Sequence, residues 1–163
     1  MGPFRLAKKL NISKQAAKKL LARFWATFPK IKEMLDKLVK HAKTNGYAYS
    51  PLDGRRLYML QTDWAVSGEA SHASNQAKNL PFQGGNATIT KIALTNIRLR
   101  LKEKGYQAKL INVVHDEILL EVHKDDVAEV KSMVEHEMIQ AAYRLLTRVP
   151  MKAEAKVAEC WQH

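Results

Sequence analysis

The hydrophobic period of this chain changes abruptly at residue 108, and that change limits what the chain can become. Residues 108–114 and 118–122 are two β-rich runs, with only His115-Asp116-Glu117 between them. Apolar strands separated by so short a polar link pair as a hairpin, and here its tip carries charge. Most of the remaining chain keeps a helical period. Ser13 is an N-cap candidate, followed by Ala16, Ala17, Leu20, Leu21, Phe24 and Trp25 at helical spacing. Phe28-Pro29 breaks that pattern. A second stripe, Ile31, Met34, Leu35, Leu38, Val39 and Ala42, predicts a helix over 29–45, stopped by Gly46.

Short strands are expected at 47–49 and 57–59, joined by a turn at 51–54. Residues 61–74 are small and polar and predict a loop that enters a helix over 68–79. Pro81 is expected to interrupt it, and a separate helix over 84–104 ends at Gly105. A last helix over 126–147, capped by Asp125-Asp126, precedes an alternating strand at 151–158. Few strands and several helices on a small antiparallel sheet make an α+β pattern.

The chain has 163 residues, of which 46% are apolar and 26% charged, so one ordinary globular domain is expected. No apolar run approaches the ~20 residues of a membrane-spanning helix, and no secretory signal is expected. Cys160 is the only cysteine, which excludes an internal disulfide and suits a reducing compartment. Residues 1–56 carry 14 basic and 3 acidic groups, while the rest is neutral, so the whole net charge of +11 sits in the first third. A one-sided basic field attracts polyanions, nucleic acid first among them. A solvated lysine-rich helix surface is the plainer alternative. An anionic membrane suits the segment less, because its apolar positions are expected to serve a core.

Asp116 and Glu117 at a rigidly supported tip suit a hard cation. Mg²⁺ takes oxygen ligands, keeps several waters, and needs only one or two carboxylates plus substrate phosphates. Acids are also common at turns because turns are wet. His115 could be a turn residue, a general acid or a phosphate contact. No second histidine stands at zinc-type spacing.

Val114-His115-Asp116-Glu117 resembles the third catalytic motif of the family A DNA polymerases, the family of bacterial DNA polymerase I. Asn79-Leu80-Pro81-Phe82-Gln83-Gly84, followed by Lys91, resembles that family's Asn-x-Pro-x-Gln-Gly helix start. Gly46-Tyr47 with Asp53-Gly54-Arg55-Arg56 resembles the preceding hairpin. Phe28-Pro29 and the stretch from Val149-Pro150 to Trp161 resemble further family landmarks, in the same order from about residue 2 to 161.

The resemblance implies a fragment of a polymerase. Residues 1–60 would be the remainder of the fingers subdomain, and 61–163 the C-terminal part of the palm. Asp116 would help bind two catalytic Mg²⁺ ions, with Glu117 adjacent and His115 near the primer terminus. Asn79, Gln83 and the position of Asn75 would contact the primer–template duplex; independently of the resemblance, the basic charge of residues 1–56 makes Lys30 and Lys37 candidate DNA contacts. Partners would be primer–template DNA, deoxynucleoside triphosphates and a separate chain carrying the absent motifs, in a cytoplasmic setting such as a nucleoid or an infected cell.

Two positions depart from the family pattern. Asn75 stands where the family has Arg, and Thr88 where it has Asp. The first palm Asp and the triphosphate-binding residues have no counterpart here, so activity by these residues alone is not expected. The alternative reading is a non-catalytic DNA-binding module or a decayed remnant.

Overall fold

The computed structural model describes residues 2–161. Its elements are α1 (Pro3–Leu10), α2 (Lys14–Thr27), α3 (Pro29–Asn45), β1 (Tyr47–Tyr49), β2 (Arg56–Tyr58), α4 (Ser67–Lys104), β3 (Ala108–Val114), β4 (Glu117–Val122), a 3₁₀ turn (Lys124–Asp126) and α5 (Val127–Tyr143). The molecule is mostly helical with two small antiparallel sheets, β1–β2 and β3–β4, and is α+β as expected. Two compact units divide it. One holds the chain up to Tyr49 and Leu57–Lys78; the other holds Ser50–Arg56 and the chain from Asn79 onward.

In the first unit the helix signals act as read. The Ser13 hydroxyl accepts from the Ala16 N–H at 3.1 Å, satisfying one orphan donor at the start of α2. Phe28 separates α2 from α3, and Pro29 opens the latter where a missing N–H costs nothing. Gly46 ends α3 at φ +72°, and a Cβ there would also lie 2.8 Å from Leu60 Cδ2. The helix α1 was not foreseen. Pro3 sits in its first turn and Asn11 closes it at φ +52°, a conformation Asn tolerates better than most residues.

The apolar stripes bury less than expected. Ala17, Leu38 and Ala42 are buried, but Leu20, Phe24, Phe28, Ile31 and Met34 are each more than 40% exposed. Leu21, Trp25, Leu35 and Val39 on the same stripes are half-buried, so the apolar faces are only partly covered. Strand β2 begins one residue earlier than read.

In the second unit α4 passes through Pro81 without stopping. The helices expected over 68–79 and 84–104 are therefore joined, without the expected interruption at 81, into one 38-residue helix. Proline removes one hydrogen bond, and the intact turns on either side outweigh that loss. Ala93, Ile97 and Leu101, four residues apart on α4, pack against Val130, Val134 and Ala141 of α5. Leu110, Ile118, Leu120 and Val122 of the β3–β4 hairpin pack on the same core.

Asp126 does not cap α5. Its carboxylate accepts from the Gln107 N–H at 2.8 Å, and the His123 ring accepts from the Asp125 N–H. The helix also ends at Tyr143, short of the expected 147. Residues 151–158 do not form the expected strand. An alternating segment becomes a strand only where a sheet edge accepts it. Here the Ala155 N–H donates to Glu135 Oε1 at 2.8 Å instead.

Candidate active-site hairpin and duplex interface

The register Ala108↔Val122 through Val114↔Glu117 leaves a two-residue connection, His115 and Asp116. A bulge between Leu110 and Asn112 interrupts the ladder, and Ile111 there is 56% exposed. Bulges increase local twist and are enriched near active sites. His115 adopts φ +55°, one of two non-glycine residues with positive φ among those described. Such a conformation costs on the order of 1–2 kcal/mol for an L-residue. The apolar arms anchored on the α4–α5 core hold it in place.

His115, Asp116 and Glu117 are all exposed and adjacent, so the three expected catalytic residues come together at the tip. Among the described residues, no group of three or more His, Cys, Asp and Glu side chains could hold a metal ion. The tip therefore offers two oxygen-donor carboxylates and no third. That donor set fits Mg²⁺, which binds through one or two carboxylates and completes its shell with water and phosphate.

Asn79 and Gln83 stand one above the other at i, i+4 on α4, both exposed. Two buried glycines, Gly84 and Gly85, follow directly. The turn after β1 lies against them. A Cβ at Gly85 would sit 3.0 Å from Leu52 Cδ1, and one at Gly84 would sit 3.6 Å from Arg55 Cδ and 3.7 Å from Asp53 Oδ2. Asn75 is exposed on the same helix but belongs to the first unit.

Lys30 and Lys37 share one partner, Glu33, at 3.2 and 2.8 Å. Hydrogen bonds from Lys37 and then Lys30 hold the Glu33 carboxyl below its ordinary range, and the Glu33 bond raises Lys37. Lys32 pairs with Asp36. These lysines are partly neutralised, whereas Lys14, Lys18, Lys19 and Lys40 make no ion pair among the described residues. The i, i+3 and i, i+4 acids of α3 are the sequence signal of this pairing.

The model of DNA polymerase family A matches residues 1–163, the whole chain. The chain belongs to DNA polymerase family A. It is similar to DNA polymerase I of Geobacillus stearothermophilus, 34% identical over 158 residues, which cover 97% of this chain and 18% of the relative. It is likewise 34% identical over 161 residues to the thermostable DNA polymerase I of Thermus filiformis, covering 99% of this chain and 19% of that one. Among solved structures it resembles the POL domain of Pol1 from M. smegmatis, determined in complex with DNA primer–template and dNTP. The TM-score is 0.78 at 31% identity, over 86% of this chain and 24% of that chain.

This family A sequence thus spans about a fifth of the length of the curated relatives it matches. Among its described residues no helix is long and apolar enough to cross a membrane. Two features of this family A chain escaped sequence reading. The left-handed backbone at His115 was signalled only by the shortness of the link between strands. The contact of residues 50–56 with the glycine pair was signalled by the Gly84-Gly85 doublet itself, since adjacent glycines inside a helix invite close approach.

Proposed function

We propose that this chain supplies the Asp116 side of the catalytic centre, and part of the duplex grip, of a DNA-directed DNA polymerase. The observation that carries the reading is the exposed Asp116–Glu117 pair on a core-anchored hairpin, in a chain that the family model matches from end to end. Asp116 and Glu117 are the residues that would hold Mg²⁺. When bound, the metal supplies charge to stabilise the reacting and leaving oxygens of nucleotidyl transfer.

The chain's own residues perform the rest of its share. Asp116 presents oxygen donors at a fixed place on the hairpin, with Glu117 one residue on. His115 carries an exposed imidazole beside them, toward the primer terminus. Asn79 and Gln83 each present an amide that can both donate and accept. The minor groove shows nearly the same acceptors for every base pair, so these contacts grip and test a duplex without reading its sequence. The basic helices α1–α3 attract backbone phosphates. The second carboxylate position and the groups that bind the incoming triphosphate come from polypeptide outside these 163 residues.

A second reading, a duplex-binding module without catalysis, draws on Asn75 and on the absence, among the described residues, of a group of three or more His, Cys, Asp and Glu side chains arranged to hold a metal ion. Primer extension separates the two. The chain alone, with Mg²⁺ or Mn²⁺, is expected to extend nothing. Combined with polypeptide that provides the other family motifs, it is expected to extend a primer in a template-directed way. Duplex binding with no extension in that combination would favour the module. Extension by the chain alone would refute the requirement for outside residues.

A further inference from the structure

Asp53, Arg55 and Thr88 form a closed polar triangle beside the Gln83 turn. The Thr88 hydroxyl donates to Asp53 Oδ2 at 2.7 Å. Arg55 Nη2 donates to Thr88 Oγ1 at 3.0 Å, and Arg55 Nε lies 3.5 Å from Asp53 Oδ2. The Arg55 N–H also donates to Asp53 Oδ1 at 3.3 Å. The Asp53 side chain is only 7% exposed. Burial by itself would raise its pKa. The nearby Ser50 hydroxyl, which makes no hydrogen bond of good geometry, the Thr88 hydroxyl, the Arg55 N–H and the guanidinium charge outweigh burial and hold it below its ordinary value. The carboxylate is therefore charged and fully engaged at neutral pH.

The turn that carries Asp53 and Arg55 is itself closed. The Ser50 N–H donates to the Arg55 carbonyl at 2.8 Å, and the Gly54 N–H to the Ser50 carbonyl at 2.9 Å. One rigid piece thus meets α4 at Thr88 through hydrogen bonds and at Gly84 and Gly85 through van der Waals contact. Both contacts fall within five residues of Gln83, which is exposed and makes no hydrogen bond of its own to the turn. The missing donor at Pro81 weakens α4 just ahead of Gln83, so an external brace has something to correct.

We propose that Asp53, Arg55 and Thr88 are positioning residues that fix the helix turn bearing Gln83, so that its amide is presented to the primer–template duplex. The proposal rests on the reading of Gln83 as a duplex contact. It locates the brace's one carboxylate on the turn, with a hydroxyl on the helix.

The test measures primer–template affinity of the full chain at fixed moderate salt, for the parent, Asp53→Asn, Gln83→Ala and the double variant. Gln83→Ala should weaken binding about fivefold, the scale of one neutral hydrogen bond. Asp53→Asn should weaken it by a similar factor, and the double variant should bind no worse than Gln83→Ala. Thr88→Val should mimic Asp53→Asn, and Thr88→Ser, which keeps the hydroxyl, should bind like the parent. Exchanging the two groups, Asp53→Thr with Thr88→Asp, should restore most of what Asp53→Asn loses.

Losses at Asp53 and Gln83 that multiply would mean a general structural role and would overturn the proposal. So would an Asp53→Asn chain that binds like the parent. If Asp53→Asn does not fold, equal affinities of Thr88→Val and Thr88→Ser overturn it. Failure of the underlying reading shows elsewhere, as Gln83→Ala alone binding like the parent, and that result removes the duplex role of Gln83 and the brace's purpose together.

Discussion

His115 is held at φ +55° by a hairpin whose arms are fixed on the α4–α5 core, and replacing it with glycine separates backbone strain from side-chain function. The left-handed region costs an L-residue roughly 1–2 kcal/mol. Glycine escapes that cost but loses more chain entropy on folding, by roughly 0.5–1 kcal/mol. The imidazole is exposed, so its removal forfeits little packing. His115→Ala keeps the Cβ and the strain. Taking the middle of both ranges, the His115→Gly chain should therefore be more stable than His115→Ala by about 0.7 kcal/mol. At 2–4 °C per kcal/mol for a chain of this size, that is an unfolding midpoint higher by about 1–3 °C. Calorimetry of the two variants side by side measures it. In a completed polymerase both variants lose the imidazole, so the glycine variant should gain stability while losing activity. An alanine variant as stable as the glycine variant, or more so, would show that the tip is not strained.

Four further outcomes follow from the same geometry. Binding of duplex DNA by the chain should weaken with salt at a log–log slope on the order of −3 to −6, from a handful of phosphate contacts. Reversing Lys14, Lys18 and Lys19 should flatten that slope more than reversing Lys30, Lys32 and Lys37, which already face Glu33 and Asp36; equal effects would contradict the ion-pair argument. Ile97→Ala, at a fully buried position, should cost about 2–5 kcal/mol in chemical denaturation, and a loss under about 1 kcal/mol would mean the hairpin's support lies elsewhere. Because the folded-state pKa of Asp53 is depressed, its contribution to stability is present above the unfolded carboxylate value and is lost as pH falls through the lower folded one. Acid titration of Asp53→Asn should therefore show a shallower fall in stability below about pH 4 than the parent, and identical profiles would refute that assignment.

Local signals in the sequence carried much of the fold. Ser13, Pro29, Gly46 and Gly105 mark ends of helices because capping chemistry and positive φ are properties of single residues. The β3–β4 hairpin was legible because its arms are apolar and its link too short for anything else. Tertiary balances were not legible. Whether α4 survives Pro81 depends on the turns either side of it, and whether 151–158 becomes a strand depends on an edge that no local pattern reveals. The stripes of α2 and α3 have the right period, yet Ala17 and Ala42 rather than Phe24 or Met34 are buried, because periodicity marks a face without saying how deeply it is covered. At the candidate site, the charged hairpin tip could be read from spacing, while Asn79 and Gln83 were singled out by resemblance alone. The union of Asp53 and Thr88, 35 residues apart, could not.

The central claim is that Asp116 bears metal for nucleotidyl transfer, and Asp116→Asn in the completed polymerase tests it most directly. The substitution keeps the shape of an exposed side chain and removes one charge, so folding and duplex affinity should be unchanged. Single-turnover primer extension at saturating primer–template should fall on the order of a thousandfold, the worth of several kcal/mol of charge stabilisation in the transition state. Extension at the parent's rate by the Asp116→Asn enzyme would contradict the assignment of the hairpin tip as the metal-bearing site.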